Sequence, residues 1–339
     1  MGGGHAMRCL ALADALEESD CSVRFAVTAE TLGMMPMLSS SRRPVSLLTS
    51  PTDARQLTDT VPEGCDLLIV DHYSWDALLE KQCRPWAKKI MVIDDLADRR
   101  HDCDILLDQT YERHPSDYAG LVPAGCDTLT GPHYALLRGE FAEARPRALQ
   151  RRETLKFQRI LVSIGLTDPA DATSIILDGI IESGLPLKVD VVLGGSAPGL
   201  TNVREKASRH ADAITVHTDT PRMAELMIDA DFAFGAAGST SWERCCLGLP
   251  TAVVVVAPNQ EKVAHELTSA GAAVNLGSSS QLTVSAIATT LIELRRDAGM
   301  RHGMSENAAK ICDGKGAPRV AARYLAARHE TALVSGTDV

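Results

Sequence analysis

Short apolar runs that end in polar or glycine residues alternate along this chain with amphipathic segments of helical period, the pattern of parallel sheets covered by helices. In the first half, the runs at 23–27, 65–70, 90–93 and 104–107 predict strands, each ending at a residue suited to a site. From about Arg138 to Gln158 the chain turns charged and poor in large apolar residues, the profile of a linker. Further runs at 159–164, 189–193, 214–216, 231–234 and 251–256 restart the alternation. The pattern predicts an α/β protein with two doubly wound, Rossmann-like domains facing across a cleft. Its boundaries are a first domain over 1–145, a linker over 146–158, a second domain over 159–313, a C-terminal helix over 314–331 and a polar tail over 332–339. At 339 residues the chain is long enough for two such cores.

Open parallel sheets take their ligands outside the carboxyl ends of the strands, where the strand order switches. In the first domain those loops are Gly2-Gly3-Gly4-His5, Asp71-His72-Tyr73 and Asp94-Asp95. In the second they are Gly165-Leu166-Thr167-Asp168, Gly194-Gly195-Ser196, the segment around Gly238, and Asn259-Gln260. The segment Gly235-Ala236-Ala237-Gly238-Ser239-Thr240-Ser241-Trp242-Glu243 is the most informative, because a glycine turn feeds a helix start whose free N–H groups suit a diphosphate. The hydroxyls of Ser239 and Thr240 add neutral donors, and Glu243, one turn on, can accept both hydroxyls of a ribose. The same residues also read as a tight turn with a hydroxyl cap. His5 precedes a run of helical spacing, near a helix start where it can take a proton from water or simply cap the helix. His72, His101, His114 and His133 have no partner at metal-ligand spacing and read as structural. Asp71, Asp94 and Asp95 read equally as site acids or as caps and ion-pair partners, the last two beside Arg99 and Arg100.

A net charge of −10, with basic residues paired only briefly as at Arg42-Arg43 and Arg151-Arg152, argues against a nucleic-acid partner. An anionic ligand must then be held mainly by backbone amides and hydroxyls. The nine cysteines, an odd number without paired CxxC spacing, predict reduced thiols in the cytoplasm and no metal site. No apolar run approaches the roughly 18 residues that span a bilayer, so membrane insertion is not expected.

Several ordered motifs, namely Gly2 through Ala13, Val70-Asp71-His72-Tyr73, Ile93-Asp94-Asp95-Leu96-Ala97 with Arg99, Cys103 through Gln109, Gly131 through Arg138 and Gly238 through Pro250, closely resemble one family. That family is the UDP-2,4-diacetamido-2,4,6-trideoxy-β-L-altropyranose hydrolases of pseudaminic acid biosynthesis, and the resemblance covers nearly the whole chain. It implies a glycosyltransferase-B fold similar to the MurG N-acetylglucosaminyltransferase. It also implies cofactor-free and metal-independent hydrolysis of a UDP-sugar to UDP and the free sugar, with the first domain holding the sugar and the second the UDP. Under the resemblance His5 orients or activates the attacking water and Asn259 lies near the reacting sugar. Gly4, Asp71 and Tyr73 belong to the sugar side; Gln260 contacts sugar or phosphate. Gly165, Gly238, Ser239 and Thr240 serve the diphosphate, and Glu243 the ribose.

Two departures stand out. The resemblance implies a strand ahead of the Gly-x-Gly-His motif, whereas this chain starts at Met1 directly on the glycines. The first strand is therefore expected to be missing, through an internal methionine taken as the start or a truncated chain, with neighbouring strands left unpaired. The loop Ile164-Gly165-Leu166-Thr167-Asp168-Pro169 also replaces a Gly-Gly-Ser-Asp type loop. A MurG-like glycosyltransferase, a UDP-sugar epimerase and a catalytically inactive UDP-sugar-binding protein remain alternatives on sequence grounds.

Overall fold

The computed structural model describes residues 3–334, so Met1, Gly2 and the last five residues of the expected tail lie outside the described part. The chain divides into two compact units, one formed by residues 3–138 with the segment from Lys315 onward, the other by Gly139–Gly314.

The first unit opens with a helix over Gly3–Glu17. Its strands are β1 (Phe25–Thr28), β2 (Val45–Leu48), β3 (Cys65–Val70), β4 (Ala87–Ile93), β5 (Ile105–Asp108) and β6 (Asp127–Thr130). Strands β3-β4-β5-β6 form one parallel sheet, and β1 and β2 form a separate parallel pair. β4 and β5 have a strand on either side and apolar cover on both faces, which is why their residues are apolar without alternation. On one face Met91, Ile93, Ile105 and Leu107 pack with Ala11, Leu12, Ala15 and Leu16 of the first helix, and with Ala317, Val320 and Ala321 of the C-terminal helix Gly316–Val334. On the other, Ile90, Val92 and Leu106 pack with Trp75, Cys83 and Tyr118. β3 pairs on one edge only, and its Leu67, Leu68 and Ile69 stay partly exposed.

The second unit carries β7 (Arg159–Ser163), β8 (Lys188–Leu193), β9 (Ile214–Thr218), β10 (Phe232–Ala236), β11 (Thr251–Val255) and β12 (Ala273–Ser278). All are parallel, in the order β12-β11-β10-β7-β8-β9. The chain winds outward from β7 to β9, then returns to the other side of β7 and winds the opposite way. The strand order therefore switches between β7 and β10, which are paired with Ser163 opposite Gly235. Both units are Rossmann-like, and the core of the second runs from Ile160, Val162 and Phe234 to Ile176, Ile180, Ile287 and Leu291 of its covering helices.

The expected linker at 146–158 is corrected. Residues 139–152 form a helix that belongs to the second unit, and the chain passes between units at Arg138 and again at Gly314. Its charge has a structural cause. Arg151 Nε donates to the Ile228 carbonyl at 2.7 Å and Arg152 Nη2 to that of Met227 at 2.6 Å, closing the carboxyl end of the helix Met223–Asp229. The C-terminal helix joins the first unit, where Arg323 Nε pairs with Asp127 at 2.6 Å.

Candidate functional site

Each unit gathers its own set of the singled-out residues. In the first, β3 ends at Val70 and delivers Asp71, while the first turns of helix Gly3–Glu17 place His5 and Arg8 three residues apart on one face. His5 Nδ1 lies 2.6 Å from Asp71 Oδ1. Arg8 grips the same carboxylate in a fork, Nε to Oδ2 at 2.7 Å and Nη2 to Oδ1 at 2.5 Å. Arg8 and Asp71 are each only 5% exposed at the side chain, against 16% for His5. Burial alone raises the Asp71 pKa; the Arg8 charge and the hydrogen bonds from Arg8 and His5 outweigh it and hold the carboxyl well below the usual range. An ionised carboxylate only accepts, so His5 Nδ1 carries the shared proton and Nε2 is the ring nitrogen turned to other partners. Both donors converge on Oδ1, which brings Arg8 Nη2 within 3.1 Å of the ring nitrogen.

Tyr73 closes the cluster. Its ring meets the His5 ring edge-on at 4.9 Å between centroids, and its hydroxyl donates to Asp95 Oδ2 at 3.1 Å. Burial, then the Asp95 charge, raises the Tyr73 pKa, so the phenol stays protonated as a donor. Gly4 sits beside His5 in the same first turn, partly exposed. Asp94 separates from Asp95: it is fully buried, takes the Ala97 N–H at 2.9 Å and the Tyr118 hydroxyl at 2.9 Å, and pairs with Arg99 at 2.8 Å. Asp94 thus belongs to the core, and Asp95 to the cluster. His72 accepts the Ser74 N–H on Nδ1 at 3.1 Å, a turn contact.

In the second unit the strand-order switch defines the place. Gly165 follows β7 at φ +129°, a conformation side chains rarely adopt, and the glycine turn Ala237–Gly238 follows β10. Throughout residues 231–250 every position is buried except Gly238, Ser239, Thr240 and Glu243. Within this stretch those are the four that the sequence assigns to diphosphate and ribose. Ser239 makes no side-chain cap hydrogen bond, so the simple capping role is not what the structure shows for it. The helix it precedes, Thr240–Cys246, has seven residues. Gln260 accepts the Val256 N–H on Oε1 at 3.1 Å, which turns its Nε2 toward Gly238, 3.4 Å from where a Cβ would stand. Asn259 is exposed in the short turn Pro258–Gln260.

Two residues outside the sequence assignment enter the geometry. Arg8 orients Asp71, and its signal was its place one turn after His5 in the Gly-x-Gly-His motif. Arg244, 2% exposed, lies beneath the Gly238 turn, one turn after Thr240. Among the described residues no group of three or more His, Cys, Asp or Glu side chains is placed to hold a metal ion, and no helix is long and apolar enough to cross a membrane.

A search of curated proteins finds the UDP-2,4-diacetamido-2,4,6-trideoxy-β-L-altropyranose hydrolase of Campylobacter jejuni, 29% identical over 229 residues, 67% of this chain and 80% of that protein. The chain is thus similar in sequence to that hydrolase over two thirds of its length. A Methanocaldococcus jannaschii protein, named as uncharacterised, is 31% identical over 127 residues, 37% of this chain and only 26% of its own length. The Bacillus subtilis spore coat polysaccharide biosynthesis protein SpsG is 25% identical over 194 residues, covering 57% of this chain and 56% of that one. The chain thus spans about a quarter of the first of these two proteins and just over half of the second. No family model matches. Among solved structures, MurG of Acinetobacter baumannii superposes with a TM-score of 0.68 at 15% identity, covering 96% of each chain, and shows the glycosyltransferase-B fold.

Proposed function

We propose that this protein hydrolyses a UDP-2,4-diacetamido-2,4,6-trideoxy sugar to UDP and the free sugar. The observation that carries the reading is the His5–Asp71 dyad, in which an ionised, Arg8-held carboxylate takes the Nδ1 hydrogen bond and leaves Nε2 as the nitrogen that can receive a proton. In the reaction a water oxygen bonds to the anomeric carbon as that carbon's bond to the β-phosphate oxygen breaks. The water's proton passes to His5 Nε2 and the bonding electrons leave with UDP. Attack from the face opposite the nucleotide inverts the carbon.

Tyr73 and Asp71 stand on the sugar side of this scheme, with Asn259 beside the reacting sugar. The second unit meets the charge that develops on UDP with Ser239, Thr240 and the Gly165 and Gly238 backbones, while Gln260 braces the turn and Glu243 accepts the ribose hydroxyls. UDP is already a good leaving group, so aiming one water is the larger task. Sequence likeness to the Campylobacter jejuni hydrolase supports the reaction class. The test is incubation with UDP-diacetamido sugars, following UDP and free sugar by chromatography and the first-formed anomer by NMR. Stoichiometric release with inversion is expected. Release that requires an added acceptor would instead mark a glycosyltransferase, and binding without release a binding protein.

A further inference from the structure

Arg244 presents a charge the proposed mechanism has not used. Arg244 is 2% exposed, and its guanidinium donates to neutral oxygens, the Ala236 carbonyl at 2.7 Å, Ser241 Oγ at 3.0 Å and Thr240 Oγ1 at 3.0 Å, with the neighbouring Glu243 acting on it through charge. Burial lowers its pKa only to about 10, so it stays cationic at neutral pH. A buried cation on three uncharged acceptors is costly, since hydroxyl and carbonyl dipoles replace water only in part. The chain has been shaped to keep it there. A Cβ on Gly235, inside β10, would collide with the guanidinium, so glycine at this strand position makes the room.

A guanidinium has no acceptor. Both hydroxyls must therefore receive from Arg244 and turn their own protons elsewhere. Ser241 Oγ lies 3.4 Å from the Ala236 carbonyl and can spend its proton there, inside the core. Thr240 is partly exposed, and its own proton must point away from Arg244.

We infer that Arg244 is a positioning residue for the diphosphate of the bound nucleotide: it fixes Thr240 as a hydrogen-bond donor to phosphate and supplies, from below the Gly238 turn, the positive charge that the surface lacks. This rests on the reading of that turn as the nucleotide site. It explains how a chain of net charge −10, without a basic cluster at this turn, favours a dianion there. The guanidinium itself does not touch phosphate; it acts through Thr240 and through its field.

The experiment measures dissociation constants of UDP and of uridine for the wild-type chain, Arg244→Met, Arg244→Lys and Thr240→Val, by calorimetry for UDP and by NMR titration for uridine. Arg244→Met is expected to weaken UDP at least about 10-fold while uridine changes less than about twofold, because only the phosphate side is affected. Arg244→Lys, which keeps the charge, recovers part of the loss. Thr240→Val, which keeps the charge and removes the donor, weakens UDP about 3-fold or more with uridine again unchanged. Should Arg244→Met fail to fold by circular dichroism, the lysine and valine variants decide. Unchanged UDP affinity in the variants that fold, or equal losses for UDP and uridine, overturns the inference. If the wild-type chain binds no UDP, the nucleotide reading itself falls, a result distinct from either of those.

Discussion

Replacing Asp71 with asparagine keeps the shape of the side chain and removes its charge, and the surrounding hydrogen bonds dictate the consequence. The carboxylate receives three close donors, His5 Nδ1, Arg8 Nε and Arg8 Nη2, at 2.5–2.7 Å, and the Cys9 thiol at 3.5 Å. An amide accepts on one end only, so its NH2 group must point an N–H at either the Arg8 or the His5 N–H. Arg8, 5% exposed, then retains only Asp95 at 3.4 Å as a counter-charge. Breaking a buried pair by removing one partner costs about 3–5 kcal/mol. For a unit of this size that lowers the melting temperature by roughly 10 °C. Activity falls further, because the His5 tautomer is no longer fixed: a kcat loss of about 100- to 10,000-fold is expected with UDP affinity little changed. Thermal denaturation and steady-state kinetics provide the assay, with the double variant Asp71→Asn, Arg8→Met as control. Removing both charges should recover most of the stability and none of the turnover. Wild-type melting and wild-type kcat in Asp71→Asn would refute the reasoning, and loss of stability with full kcat would confine the cluster to structure.

The same geometry sets further outcomes. His5→Asn should lose at least roughly 100-fold in kcat while calorimetry shows UDP bound as before. Glu243→Gln should weaken UDP by about 10-fold but leave 2′,3′-dideoxy-UDP unaffected, since only the ribose hydroxyls are involved. Asp71 is a carboxyl whose folded pKa is depressed, so its contribution to stability is present above the ordinary carboxylate value near about 4 and is lost as pH falls below it. Wild-type stability should therefore decline more steeply than that of Asp71→Asn between about pH 4 and pH 2 in denaturant titrations. Tyr118→Phe removes a buried hydroxyl that lies 2.9 Å from both Asp94 Oδ2 and Asp108 Oδ2, and should cost about 2 kcal/mol in urea unfolding with kcat retained.

The fold was largely legible because buried parallel strands announce themselves as unbroken apolar runs; β3 and β7 fall within a residue of their expected bounds. Strands β2, β6 and β12 escaped notice: each lies at a sheet edge and is short or diluted with Ser, Thr, Asn and Asp, so periodicity carried no signal. The linker misreading has the opposite cause. Arg145, Arg151 and Arg152 look solvated in sequence, yet their guanidinium groups bind backbone carbonyls within the second unit. At the candidate site, the partly exposed residues Ser239, Thr240 and Glu243 are suggested by type and spacing. The buried cations Arg8 and Arg244 were harder: Arg8 is marked only by its place one turn after His5, and the hydrogen bonds of both, to Asp71 and to Thr240, depend on packing that no local pattern encodes.

The central claim is that one water, activated at His5, attacks the anomeric carbon. It is tested most directly by a single turnover in oxygen-18 water, with UDP and sugar analysed by mass spectrometry at early times. The account predicts unlabelled UDP, a labelled sugar that first appears with inverted configuration, and no such product from His5→Asn. Oxygen-18 in the β-phosphate of UDP, or undiminished product formation by His5→Asn, would contradict it.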